Sequence, residues 1–122
     1  MAGEKVFFVP RGGADLRRWL REVEERYADA FAEVGPGALM DLKRMIDAVD
    51  AFLDLLADPE VDFRVKLMDW AKLQYDVNEF CRFYSKWLGS PLMERLKNEV
   101  HQLMEEAVSW WAQQDIMSAE GW

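Results

Sequence analysis

Apolar side chains recur along this chain every three or four residues, in four successive blocks bounded by glycine and proline signals. That spacing is one face of an α-helix, so each block is predicted to be an amphipathic helix. From about Asp15 to Val34 the apolar positions Leu16, Leu20, Val23, Tyr27, Ala30 and Val34 step by 4, 3, 4, 3 and 4, a heptad seam that Trp19 and Phe31 widen. The opposite face is charged. Its spacing pairs Arg18 with Glu22, Arg21 with Glu25 and Glu22 with Arg26, each worth about 0.2–0.5 kcal/mol on a helix surface. Gly35-Pro36-Gly37 closes this block and opens the next.

The second block, Pro36 to Ala57, builds its seam from Leu42, Ile46, Val49, Leu53 and Leu56, with Met45, Phe52 and Leu55 beside it. Its outer face carries an aspartate stripe, Asp47, Asp50, Asp54 and Asp58. The third block, Asp58 to Leu88, is the one the others are organised around. Asp58-Pro59-Glu60 reads as a helix start and Gly89-Ser90-Pro91 as its stop. Phe63, Leu67, Trp70, Leu73, Val77, Phe80, Cys81, Tyr84, Trp87 and Leu88 form a band wide enough to meet two neighbours, interrupted by Gln74 as the expected buried polar group. One continuous helix of that length spans about 45 Å against ~35 Å for a compact globule of this size, so it must bend or overhang. Residues 61–67 also alternate apolar and polar in strand fashion and offer a pairing with Lys5–Val9; the Asp-Pro-Glu start favours helix. The fourth block starts at Pro91, capped by Ser90, and carries Leu92, Leu96, Val100, Leu103, Ala107 and Trp110 on its seam.

The expected fold is therefore all-α: an antiparallel four-helix bundle with a long central third helix. An apolar N-terminal arm, residues 1–14 with Phe7 and Phe8, precedes a single helical-bundle domain over residues 15–122.

Composition narrows the function classes. No apolar run approaches the ~18 residues of a membrane span, and the N-terminus lacks a secretory apolar region. Cys81 is the sole cysteine, so no intramolecular disulfide forms and a cytoplasmic setting is expected. The net charge of −8 is uneven: Lys5, Arg11, Arg17, Arg18 and Arg21 against Glu4 and Asp15 give residues 1–21 a balance of +3, leaving −11 to the rest. Such a body repels nucleic-acid backbones and anionic lipid; only the N-terminal basic patch escapes this.

Candidate chemistry is sparse. His101 neighbours Lys97, Asn98 and Glu105, without the Glu-x-x-His spacing of bundle dimetal centres. Cys81 sits on a seam, where burial blunts a thiol. Glu22 and Glu25, with Asp47 and Asp50, have the spacing of a magnesium site but lie on solvent-assigned faces. Phosphate-cradling loops, nucleophile elbows and zinc clusters are missing from the sequence. Neither a metal nor a cofactor is expected.

Aromatic residues make up 13% of the chain, and several do not fit a single core face. Adjacent Trp110 and Trp111 cannot both point inward, and Phe83 lies among Glu79, Arg82 and Lys86. Exposed aromatics bordered by cations are an interface signature. The expected function is a non-enzymatic, acidic helical interaction module: a subunit of an assembly, or a small inhibitor of the immunity, antitoxin or phage-encoded type. It would bind another protein, or itself through helix three. Phe83, Trp87, Trp110, Trp111 and Trp122, with Asp47, Asp50 and Asp54, are the expected contact residues. The alternative is a small subunit of a nucleoprotein complex touching nucleic acid through Arg11, Arg17, Arg18 and Arg21. A further alternative is a metal-dependent hydrolase built on Glu22, Glu25, Asp47 and Asp50.

Overall fold

A computed structural model of the chain describes the backbone of residues 13–120 and the side chains of residues 14–113. Residues 1–12 of the expected N-terminal arm, with Arg11, and Trp122 lie outside the described residues, while Gly13 and Ala14, also expected in the arm, begin the first helix. Within them the chain is all-helical, with no strand: α1 is Gly13–Val34, α2 Pro36–Ala57, α3 Phe63–Leu88 and α4 Ser90–Glu120. The seams read from the sequence form the core. Leu16, Leu20, Val23 and Phe31 of α1 meet Leu42, Ile46, Val49, Phe52 and Leu53 of α2, Val77 and Cys81 of α3, and Leu96, Val100, Leu103 and Met104 of α4. Each is withdrawn from water almost completely, and a fully buried Leu, Ile or Phe contributes about 1.5–3 kcal/mol of transfer free energy.

Two of the three connections are single glycines. Gly89 sits at φ +89°, donates its N–H to the Ser85 carbonyl at 2.9 Å and accepts from the Met93 N–H at 3.2 Å. One residue thus ends α3 and begins α4, in a conformation that side chains disfavour. Gly35 does the same between α1 and α2, bonding the Phe31 carbonyl and the Leu39 N–H, both at 3.2 Å.

The connection between α2 and α3 corrects the sequence reading. The third helix begins at Phe63, not Asp58. Asp58 is the C-cap of α2, its N–H reaching the Leu55 carbonyl, and its carboxylate accepts from the Glu60 N–H at 2.9 Å in an Asx turn. Asp62 is the cap of α3, accepting from the Arg64 N–H at 3.2 Å. At 26 residues α3 is shorter than α4, with 31, and residues 63–67 are helix rather than strand.

The start of α3 also inverts the expected pattern. Lys66, only 5% exposed, is the buried charged side chain among the described residues, whereas Val65 and Leu67 face outward. In helical phase, Lys66 is followed by Trp70, Leu73 and Val77 at steps of 4, 3 and 4, so the lysine itself holds a seam position. Its Nζ donates to the Leu56 carbonyl at 2.8 Å, supplying a hydrogen bond and a positive charge to the C-terminal turn of α2. Gln74 is only half-buried; Lys66 takes the role expected of it.

Candidate interaction groove

The aromatic residues of α3 form a connected set. Phe80 and Tyr84 are one turn apart, as are Phe83 and Trp87, and all four lie on the flank of α3 that turns toward α2. Phe31, fully buried on α1, stacks on Phe80 at 5.6 Å and meets Tyr84 edge-on at 5.2 Å. Tyr84 in turn touches Phe80 at 5.1 Å, Phe83 at 5.0 Å and Trp87 at 5.6 Å. Phe83 and Trp87 close the set at 5.0 Å. These separations and tilted planes are those of favourable aromatic pairs, worth about 0.5–1.5 kcal/mol each beyond area burial.

One end of this series is core and the other is surface. Phe83 is 48% exposed and Trp87 53%, and Met40 of α2, 52% exposed, stands across from them. Together with Val34, Ala38 and Tyr84 they line a cleft of about 440 Å³ where the end of α1, the start of α2 and the end of α3 meet. Gly35 makes the cleft possible by turning the chain from α1 into α2 in one residue, which sets Ala38, Met40 and Asp41 opposite α3.

The polar groups at this cleft are few. The Tyr84 hydroxyl donates to Asp41 Oδ2 at 2.5 Å. Burial first, and then the Asp41 carboxylate, push the Tyr84 phenol up to about 12. Arg44 reaches Asp41 at 3.5 Å from the same helix. Lys86 lies over the Phe83 ring, 5.2 Å from its centroid, and over the Trp87 ring at 5.8 Å, a cation–π arrangement of about 0.5–1 kcal/mol at an exposed site.

The structure brings some of the expected contact residues together and separates others. Phe83 and Trp87 share the cleft. Trp110 and Trp111 are at a distance from it on α4, both half-buried, packed edge-to-face at 4.3 Å, with Trp111 against the core. The aspartate stripe meets α1: Asp50 and Asp54 both accept from Arg17, Arg21 lies 3.7 Å from Asp50, and Asp47 is exposed. Arg21 also bonds Glu24 at 3.1 Å, and Lys43 reaches Glu24 at 3.3 Å. Arg18 pairs with Asp15 at 3.1 Å. The ion pairs expected within α1 at four-residue spacing are replaced by three-residue ones and by Arg26 with Glu99 of α4. Among the described residues no three His, Cys, Asp or Glu side chains cluster to hold a metal ion.

The remaining chemical candidates are quiet. Cys81 is buried, and burial pushes its thiol up to about 12. His101 Nε2 lies 2.7 Å from Asn78 Oδ1, while its Nδ1 is buried without a partner. Burial, and next the Lys97 charge, hold its pKa below the ordinary histidine value.

Sequence reasoning found Phe83 and Trp87 but missed Met40, Asp41 and Tyr84. Tyr84 reads as an ordinary seam residue, and Met40 and Asp41 join the cleft only through the turn at Gly35. Compared with known protein families, curated proteins and solved structures, the chain matches none.

Proposed function

We propose that this protein is a non-enzymatic helical interaction module that binds another protein through the cleft between the start of α2 and the end of α3. The observation that carries this reading is the half-exposed trio Met40, Phe83 and Trp87 around an open cleft, held in place by Tyr84. Phe83 and Trp87 are large, rigid side chains that lose little conformational entropy on binding, which is the character of interface anchors, and the flexible Met40 beside them can adapt to what it meets. The module acts as one unit in the cytoplasm, as a subunit of an assembly or as a small inhibitor.

Consecutive helices in this reading run antiparallel. One-residue connections at Gly35 and Gly89 favour that arrangement. The cross-helix partners favour it too: Arg17 with Asp54, Arg21 with Asp50 and Glu24 with Lys43 advance along α1 while receding along α2. The same ion pairs weigh against a nucleic-acid role for the N-terminal arginines, because Arg17, Arg18 and Arg21 already have carboxylate partners.

The test is native mass, with the ratio of absorbance at nucleic-acid and protein wavelengths, on protein purified gently from its own host. Expected is a complex with a second protein and a protein-like ratio, lost when Trp87→Ala is introduced into a chain that still melts cooperatively. Persistent monomer, or nuclease-resistant nucleic acid in the complex, would overturn the reading.

A further inference from the structure

We propose that the cleft takes an acidic peptide segment of the partner, seating one large apolar side chain against Trp87 with a carboxylate beside it; this rests on the interaction reading above. The walls are apolar, formed by Val34, Ala38, Met40, Phe83 and Trp87. The charged lining residues are Asp41 and Arg44, and Lys86 stands beside the cleft over the Phe83 and Trp87 rings. Asp41 is already engaged, accepting the Tyr84 hydroxyl and facing Arg44. Lys86 lies across two aromatic faces and, among the described residues, has no carboxylate within ion-pair distance. Asp41 and Arg44 offset each other, which leaves Lys86 as the unpaired charge beside the apolar walls, on a chain whose net charge is −8.

The range of electrostatics decides which sign matters. At physiological ionic strength charges are screened over a Debye length of ~8 Å. A segment inside the cleft therefore responds to Lys86, and to Asp41 and Arg44 as a pair, far more than to carboxylates elsewhere on the body. A basic segment meets Lys86 at close range with no carboxylate among the described residues paired to it. A second copy of this chain docked at the same cleft is the competing occupant, and a dimer of this chain alone by native mass would overturn the acidic-segment assignment. An acidic segment uses the apolar walls and the unpaired Lys86 together. Tyr84 ties Phe83 and Trp87 to the core, so the apolar anchor enters a preformed wall.

The test is selection of random displayed peptides, about a dozen residues long, on the full-length protein in ~0.15 M salt. Selected peptides are then dye-labelled and measured by fluorescence anisotropy. Expected are sequences with an aromatic or large aliphatic residue flanked by Asp or Glu. Their affinity falls about tenfold or more with Trp87→Ala and drops with Lys86→Glu, while Lys86→Met keeps the stem packing and isolates the charge. Circular dichroism melts establish that each variant is folded. Basic peptides that lose affinity with Trp87→Ala and gain it with Lys86→Glu overturn the acidic chemistry but leave the interaction reading intact. Peptides of any composition that ignore Trp87→Ala overturn the cleft as the site. A selection that yields no binder overturns the proposal too, whereas the native-mass experiment judges the interaction reading separately.

Discussion

Along the flank shared by α1 and α2, charge answers charge. Arg17 and Arg21 meet Asp50 and Asp54, Lys43 meets Glu24, and no large apolar side chain is left uncovered there. Where α2 begins and α3 ends, the opposite holds: Met40, Phe83 and Trp87 face water, and Lys86 rests on aromatic rings rather than on a carboxylate. Both regions are built on the same helices and the same core. The difference teaches that α1 and α2 complete their shared surface within the chain, while the end of α3 leaves aromatic surface in water.

The largest test of this contrast goes through its shared foundation. Phe31→Ala removes the buried ring on which Phe80 and Tyr84 pack, and is expected to cost about 3–5 kcal/mol in chemical denaturation. It is also expected to loosen the cleft, seen ahead of global unfolding as a change in the part of the tryptophan fluorescence that Trp87→Phe removes. If the fluorescence stays native-like until the main transition, the aromatic series does not position the cleft.

Next is pH. Tyr84 and Cys81 both have folded pKa values pushed up to about 12, from 10.0 and 9.0 respectively. Their stabilisation is intact below the unfolded values and is lost as pH rises through the folded ones, because the unfolded chain gives up those protons first. Urea midpoints should therefore hold up to about pH 9 and fall steadily toward 12. Tyr84→Phe should flatten the upper part of that decline. His101 works in the other direction. Its folded pKa is depressed, so its contribution is present above the unfolded value of 6.5 and declines as pH falls below it; His101→Gln should remove that acid limb.

A smaller effect separates surface from scaffold. Trp87→Ala should cost about 1 kcal/mol of stability or less, since half the ring is already in water, while the proposed function predicts a far larger effect on partner binding. A stability loss comparable to that of Phe31→Ala would show Trp87 to be core. Smallest of all is Asp54→Asn. Asp54 is 71% exposed although paired with Arg17, and a pair of that kind contributes about 0–1 kcal/mol. A double-mutant cycle with Arg17→Gln is expected to find coupling in that range, weakened by added salt.

The seams were legible because a helix repeats its faces every 3.6 residues and burial selects apolar side chains at that interval. Spacing alone places Leu16, Leu20 and Val23, or Val77, Cys81 and Tyr84, on an inward face. The start of α3 was not legible in the same way. Asp58 and Asp62 are both capping residues, and Asp58 is followed by proline and glutamate, the pattern of a first helical turn. Choosing between them depends on α2, whose last turn engages Asp58, and on Lys66, which must reach the Leu56 carbonyl. That choice sets the phase that exposes Val65 and Leu67. The aspartate stripe was visible as a stripe, but its partners on α1 were not, because they are set by how two helices lie side by side.

What the sequence determined by itself was local and periodic: four amphipathic helices, glycine turns at 35 and 89, and an aromatic excess concentrated in α3. These follow from backbone sterics and from the period of burial, which any stretch of chain carries within itself. What only the tertiary structure decided was juxtaposition. Met40 and Asp41 lie some forty residues before Phe83, Tyr84 and Trp87, and no local rule joins them. The turn at Gly35 and the packing of α2 on α3 bring them to one cleft, because side chains distant in sequence meet only where the core has already fixed the helices that bear them.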